Sequence, residues 1–355
     1  MAVKAKDLAK EIGVSEATIS LVLNGKPGIS EKTRKRVIEA VKGLGYGYML
    51  PQEKVPEAVE RVSPEGAPAS VLSSTIGFVI YKNKGELLGM NSFFPLILDG
   101  IESEARRNNC QITVFYVERD KLEEDIRYIK EAGCIGYVIF ATEMHREELP
   151  AFEALGIPFV LLDNYFLDAD VASIKLSNRQ GEYLAIRHLM EMGHKKIGYL
   201  SSGVPINSFR ERQESAFIAM HELGLQADEA SQVFTIGYPN EEAEDGMLKV
   251  LQQYKKEELP TAFVTDNDLV AAGAMRAIKD FGYRIPEDFS IVGYDDRPIC
   301  TVVNPKLTTI AIPRDLFGSL AVGKLCRRIR DYESVQTITS IRGTFIERDT
   351  VARLA

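Results

Sequence analysis

The residues best placed to do chemistry are polar groups that directly follow apolar runs. Asp163 follows "PFVLL", Asn267-Asp268 follows "TAFVTD", and Asp295 follows "SIVGY". Carboxylates and amides of this kind hold the hydroxyl or amine groups of a small ligand by hydrogen bonds. The apolar runs are strand-like and fall into two series. Residues 75–81, 111–118, 136–141, 158–163 and 173–177 form the first, and 196–202, 231–237, 261–267 and 290–296 the second. Between them, 95–108, 179–193, 209–223 and 268–282 carry apolar residues at helical spacing. Short β-runs separated by helices predict doubly wound parallel sheets with helices on both faces, and two series predict two lobes. Ligands of open α/β sheets sit at the carboxyl ends of strands, which is where the polar residues fall.

The chain opens differently. Residues 5–12 read as a helix ended by Gly13, and Ser15 caps a second with Ile19, Val22 and Leu23 inward. Asn24-Gly25 stops it, and Ser30 caps a third whose stripe is Val37, Ile38, Val41 and Leu44. A helix, a four-residue joint and a second helix make a helix-turn-helix, whose second member enters the major groove of DNA. Charge agrees with this reading. Residues 1–50 carry nine Lys/Arg against five acids, so the chain's net −8 leaves −12 on the remainder. A basic head on an acidic body suits a polyanion-binding module attached to something that stays off nucleic acid.

Composition sets further bounds. At 355 residues, with 45% hydrophobic and 26% charged residues, the chain is long enough for two or three globular domains. It contains no apolar run of membrane-spanning length, and "MAVKAKDLAKEIG" has no signal-peptide pattern, so a cytoplasmic location is expected. Cys110, Cys134, Cys300 and Cys326 are scattered, and the four histidines share no ligand spacing, so no metal or cofactor is expected. No G-x-S-x-G or Walker A motif marks an enzyme.

The front segment "KDLAKEIGVSEATISLVLNGKPGISEKTRKRVIEAVKGLGY" resembles the DNA-binding head of the LacI/GalR family of bacterial transcription regulators. The segment "NDLVAAGAMRAIKDFGYRIPEDFSIVGYDD", followed by "NPKLTTI", resembles that family's effector-binding body, which is similar to periplasmic sugar-binding proteins. The resemblance implies that Glu16, Ala17 and Leu21 read bases, with Ser15, Thr18, Ser20 and Asn24 nearer the DNA backbone. Many relatives carry Arg where this chain has Leu21, and leucine offers a base only apolar contact, for instance with a thymine methyl. In the body the resemblance implies Arg212, Asn267 and Asp295 as polar contacts of the effector, Phe93 and Phe94 as an apolar wall, and Ser208 and Asp163 as additions. Leu176 stands where others often have an aromatic. Such a set suits a polyol, with Tyr165 or Phe166 stacking on a sugar ring in a chain without Trp; a purine is the alternative effector. Structural roles compete for the same residues: Asp295 as a cap on "DRPIC", Arg212 as a surface ion pair in "FRERQE", and Phe93 and Phe94 as core.

Three segments result: a head over 1–49, a linker over 50–74 and an effector-binding and dimerisation body over 75–355. The linker, punctuated by Pro51, Pro56, Pro64 and Pro68, departs from the L-A-R-S-L hinge helix common in the family. The resemblance also implies a homodimer on a pseudo-palindromic operator, meeting through 95–108 and 276–287, with lobe closure by the effector shifting operator affinity.

Overall fold

The computed structural model describes residues 9, 12, 14–23, 29–43, 74–83, 94–331 and 335–354. Asn24, Phe93 and nearly all of the expected linker therefore lie outside the described residues. The chain divides into two compact units, 1–68 and 69–355.

In the first unit, α1 (Glu16–Leu23) and α2 (Glu31–Gly43) follow helical Ala9 and Ile12. Ser15 Oγ accepts the Thr18 amide at 3.1 Å and Ser30 Oγ the Thr33 amide at 3.2 Å, so both expected caps start their helices. Ala9, Ile19, Val22, Val37 and Val41 are buried together, a miniature core that holds three elements in place.

The second unit begins with β1 (Ser74–Lys82), α3 (Phe94–Arg107), β2 (Cys110–Glu118), α4 (Leu122–Glu131), β3 (Gly136–Phe140), α5 (Leu149–Glu153), β4 (Phe159–Leu162) and β5 (Ser173–Leu176). It continues with α6 (Asn178–Glu191), β6 (Ile197–Ser201), α7 (Asn207–Glu222), α8 (Glu229–Gln232), β7 (Val233–Thr235), α9 (Asn240–Gln253), β8 (Ala262–Thr265), α10 (Asp268–Asp280) and β9 (Ser290–Asp295). The last elements are α11 (Ile299–Val302), β10 (Thr308–Ala311), α12 (Arg314–Asp331), β11 (Ile338–Ile341) and β12 (Thr344–Ile346).

Two six-stranded sheets result, ordered β11-β5-β4-β3-β1-β2 and β12-β10-β9-β8-β6-β7. Every pairing is parallel except β10 with β12. The central strands are buried throughout, as strands covered on both faces must be. The chain passes between lobes three times: at Ser177 between β5 and α6, at 312–313 before α12 returns to the first lobe, and at 342–343 between β11 and β12. At the last crossover Gln180 makes two bonds to the Gly343 backbone, donating to its carbonyl at 3.1 Å and accepting its amide at 3.0 Å.

One expected strand is shorter than its apolar run. Asp228 accepts the Ala230 amide and caps α8, so 229–232 is helical and β7 keeps only three residues of 231–237. Three strands, β10 to β12, lie outside the nine expected runs. Among the described residues, no helix is long and apolar enough to cross a membrane.

Candidate functional site

The head presents one end of α1 outward. Ser15, Glu16, Ala17 and Ser20 are exposed, while Thr18 and Leu21 are half-buried, so the described members of the expected DNA-contacting set share an accessible face. Ile19 and Val22 point the other way, into the small core.

In the body, β4 and β9 hold the same place in their sheets, third from one edge. Asp163 directly follows β4 and Asp295 is the last residue of β9, and both have positive backbone φ, 66° and 106°. Aspartate tolerates that region better than most residues, and its cost of about 1 kcal/mol or more is met by surrounding structure. Thr142 and Asn267 are likewise equivalent, each two residues beyond the strands next in order, β3 and β8. The four residues are a repeated device, one copy per lobe.

Around it the carboxyls are numerous and buried. Asp163, Glu182, Asp266, Asp268 and Asp295 are all at most 6% exposed, beside buried Arg212 and Arg297. Arg212, on α7, spends its fork internally: Nε donates to Asn178 Oδ1 at 3.1 Å, Nη1 to the Asp266 carbonyl, and Nη2 to Asp295 Oδ1 at 3.1 Å. Its guanidinium carbon stacks 3.8 Å from the centre of the Tyr294 ring. Asp163 accepts Thr142 Oγ1 at 2.7 Å and, across the cleft, Ser208 Oγ at 3.3 Å. Asn267 caps α10, its Oδ1 accepting the amides of Leu269 (3.0 Å) and Val270 (3.1 Å), while its buried Nδ2 finds no partner among the described residues.

Burial pushes the Asp163 carboxyl up to about 6, against the Thr142 hydrogen bond and the Arg212 charge. Burial, reinforced by Asp295, raises Asp268 to about 7. Asp266 is raised by burial too, although Ser202 and Tyr199 donate to it. Burial pulls Arg212 down, but Asp295 and its other anionic neighbours outweigh this and hold the guanidinium above its ordinary value. The cluster is rich in acceptors and carries few cations.

Of the expected effector residues, Asp163, Ser208, Arg212 and Asp295 meet at one place, with Asn267 one residue beyond the carbonyl that Arg212 grips. The proposed surface ion pair for Arg212 is excluded, since its side chain is 3% exposed. Asp295 does not cap "DRPIC" either; α11 starts at Ile299 behind Pro298. Phe94 is the first residue of α3, its side chain outside the described set. Leu176 is in the first lobe's core. A cavity of about 400 Å³ opens between the lobes, lined by Thr142, Tyr165, Phe166, Pro205, Asn207 and Arg210 among others. It includes both expected stacking residues, while Arg212, Asn267 and Asp295 are not part of its lining.

Sequence reasoning missed Thr142, Asn178, Glu182, Glu211, Asp266 and Tyr294. Asp266 and Tyr294 stood beside chosen residues at strand ends, and Glu211 beside Arg212. Glu182 carried no signal. His145, Glu147 and Glu148 bring ligand atoms within 4.8 Å of one another, but Glu148 accepts the His145 amide and pairs with Arg119 at 3.2 Å. Those contacts explain the cluster as a capped turn.

A helix-turn-helix unit followed in sequence by a two-lobed, periplasmic-binding-protein-like unit defines a DNA-binding regulator with a receptor-type body. Residues 4–47 match the model of bacterial regulatory proteins of the lacI family, and 186–351 that of the periplasmic binding protein-like domain. The chain is 30% identical to the HTH-type transcriptional repressor PurR of Vibrio cholerae, over 98% of both chains, and 26% identical to the ribose operon repressor of Haemophilus influenzae, over 98% of both. It superposes on the lac repressor dimer bound to operator and the anti-inducer ONPF with a TM-score of 0.69 and 25% identity, covering 99% of this chain and 100% of that one. The chain belongs to the LacI family: it is a DNA-binding transcriptional repressor and not an enzyme.

Proposed function

We propose that the chain represses from a pseudo-palindromic operator in the cytoplasm, as a homodimer, and that a small molecule held between its lobes sets its operator affinity. Segment 1–49 serves as the reading head, 50–74 as a linker and 75–355 as the sensor. The effector is donor-rich and carries no phosphate: a mono- or oligosaccharide. The observation that carries this reading is the cluster of buried acceptors at equivalent strand ends of both lobes, with Asn267 Nδ2 left over as a donor. An anion there would lie beside the buried carboxyls of Asp163, Asp266 and Asp295, whereas sugar hydroxyls donate to carboxylates and accept from Asn267 or Arg212. Exposed Leu96 on α3 and Phe281 after α10 fall in the two segments expected to meet a partner subunit. A purine effector is the second reading, favoured by the similarity to repressors named PurR.

A thermal-shift panel of mono- and disaccharides, purine bases and sugar phosphates tests the class. A true effector at about 100 times its Kd adds roughly 2.7 kcal/mol to stability, and the same compound then shifts operator affinity in a binding titration. Stabilisation by sugar phosphates alone, or a stabilising sugar that leaves operator affinity unchanged, overturns the proposal.

A further inference from the structure

Glu211 ties the two lobes together. It sits on α7 in the second lobe, yet it accepts from the Tyr165 hydroxyl and the Lys175 ammonium of the first. Lys175 Nζ also lies 4.0 Å from the centre of the Tyr165 ring. The Lys175 and Glu211 side chains are only 16% and 18% exposed, so this is a largely desolvated pair and not one of the weak ion pairs of an open surface. Asn207, one turn earlier on α7, adds a bond from its Nδ2 to the Tyr165 carbonyl at 3.1 Å.

The contact does not end at the cleft. Glu211 Oε2 accepts Asn178 Nδ2 at 2.8 Å, and the other end of the same amide, Oδ1, accepts Arg212 Nε at 3.1 Å. The partners dictate the amide's orientation, since a carboxylate only accepts and a guanidinium only donates. An unbroken line of bonds thus runs from Tyr165 and Lys175 through Glu211, Asn178 and Arg212 to Asp295. Burial pushes Glu211 up, but the donors from Lys175, Tyr165 and Asn178 outweigh it and hold the carboxyl below its ordinary value, so the latch is ionised at neutral pH.

We propose that the Tyr165–Lys175–Glu211 cluster is a latch that holds the lobes closed with no effector present, and that Asn178 is the positioning residue linking the latch to Arg212. Opening the lobes removes two of the three donors from Glu211 and leaves a half-buried carboxylate that competes for Asn178 and, through it, for the Arg212 fork. The link to an effector rests on the cleft being the switched site; the latch itself does not.

Hydrogen–deuterium exchange on the ligand-free full chain tests both parts. Glu211→Ala is expected to speed exchange roughly tenfold in 163–168 and 204–212, leaving other segments of both lobes within about twofold. Glu211→Gln, which keeps the shape and drops the charge, gives the same local pattern if the alanine variant folds poorly. Asn178→Ala speeds exchange around 264–268 while 163–168 stays protected. Uniform acceleration across both lobes, or no acceleration, overturns the latch, and equal acceleration of 163–168 and 264–268 in Asn178→Ala overturns the relay. Because no ligand is used, these failures are separate from failure of the effector panel.

Discussion

Glu182 is a carboxyl that the fold holds at a cost. Gly181 packs flush on Tyr294, where a Cβ would fall 2.2 Å from the hydroxyl, and the next side chain is buried close enough to feel the charges of Arg212 and Asp266. Glu182 is 1% exposed and its Oε2 has no hydrogen-bond partner among the described residues. Burial raises its pKa from 4.5 to about 8, with Arg212 opposing and Asp266 adding to the rise. Below pH 4.5 the group is neutral folded or unfolded, and it costs nothing. Between 4.5 and 8 the unfolded chain gives up the proton while the folded one keeps it, so stability falls by about 1.4 kcal/mol per pH unit. Above 8 the loss levels off. At pH 7 it amounts to roughly 2.5 units, on the order of 3 kcal/mol. Glu182→Gln removes the titration and is expected to raise the melting temperature by about 5–10 °C at pH 7 and by little at pH 4.5. Scanning calorimetry of both proteins from pH 4.5 to 8 decides the matter. A variant with the wild-type pH slope, or a shift of equal size at both ends, refutes the reasoning.

Arg212→Ala is expected to leave Asp295 buried without its guanidinium, costing about 3–5 kcal/mol of stability. Below its melting point the variant should bind operator within a few-fold of wild type yet ignore any effector the panel finds; equal loss of both functions makes Arg212 a structural residue. Leu21→Arg is expected to enrich guanine at one position per half-site when duplexes are selected from a random pool, with a gain of roughly 1–3 kcal/mol over other bases. An unchanged preference removes Leu21 from the base-reading face.

The parts legible in the sequence share a physical signature. β3, β4, β8 and β9 are covered on both faces, so they appear as continuous apolar runs whose ends mark the site. Ser15 and Ser30 were legible as caps because their chemistry is local. β11 and β12 were not: at sheet edges, half-exposed and three or four residues long, they carry no apolar run. Glu182 and Glu211 were hidden for a related reason. A glutamate on an amphipathic helix reads as a solvated residue, and only the fold shows that one is buried within reach of the Arg212 charge and that Lys175 reaches the other from across the cleft. Arg212 and Asp295 could be placed individually, but their mutual pairing depends on an 83-residue separation that no local pattern encodes.

Because the polypeptide traverses the hinge three times, neither lobe is a continuous stretch of chain. A single protease nick at Ser177 would leave two fragments still interlocked, since α12 and β11 of the downstream piece complete the upstream lobe. Halving such a gene at its midpoint cannot yield two autonomous folding units. The sensor must mature as one object, because β12, which returns to close the edge of the second sheet, follows β11 of the first sheet in the chain.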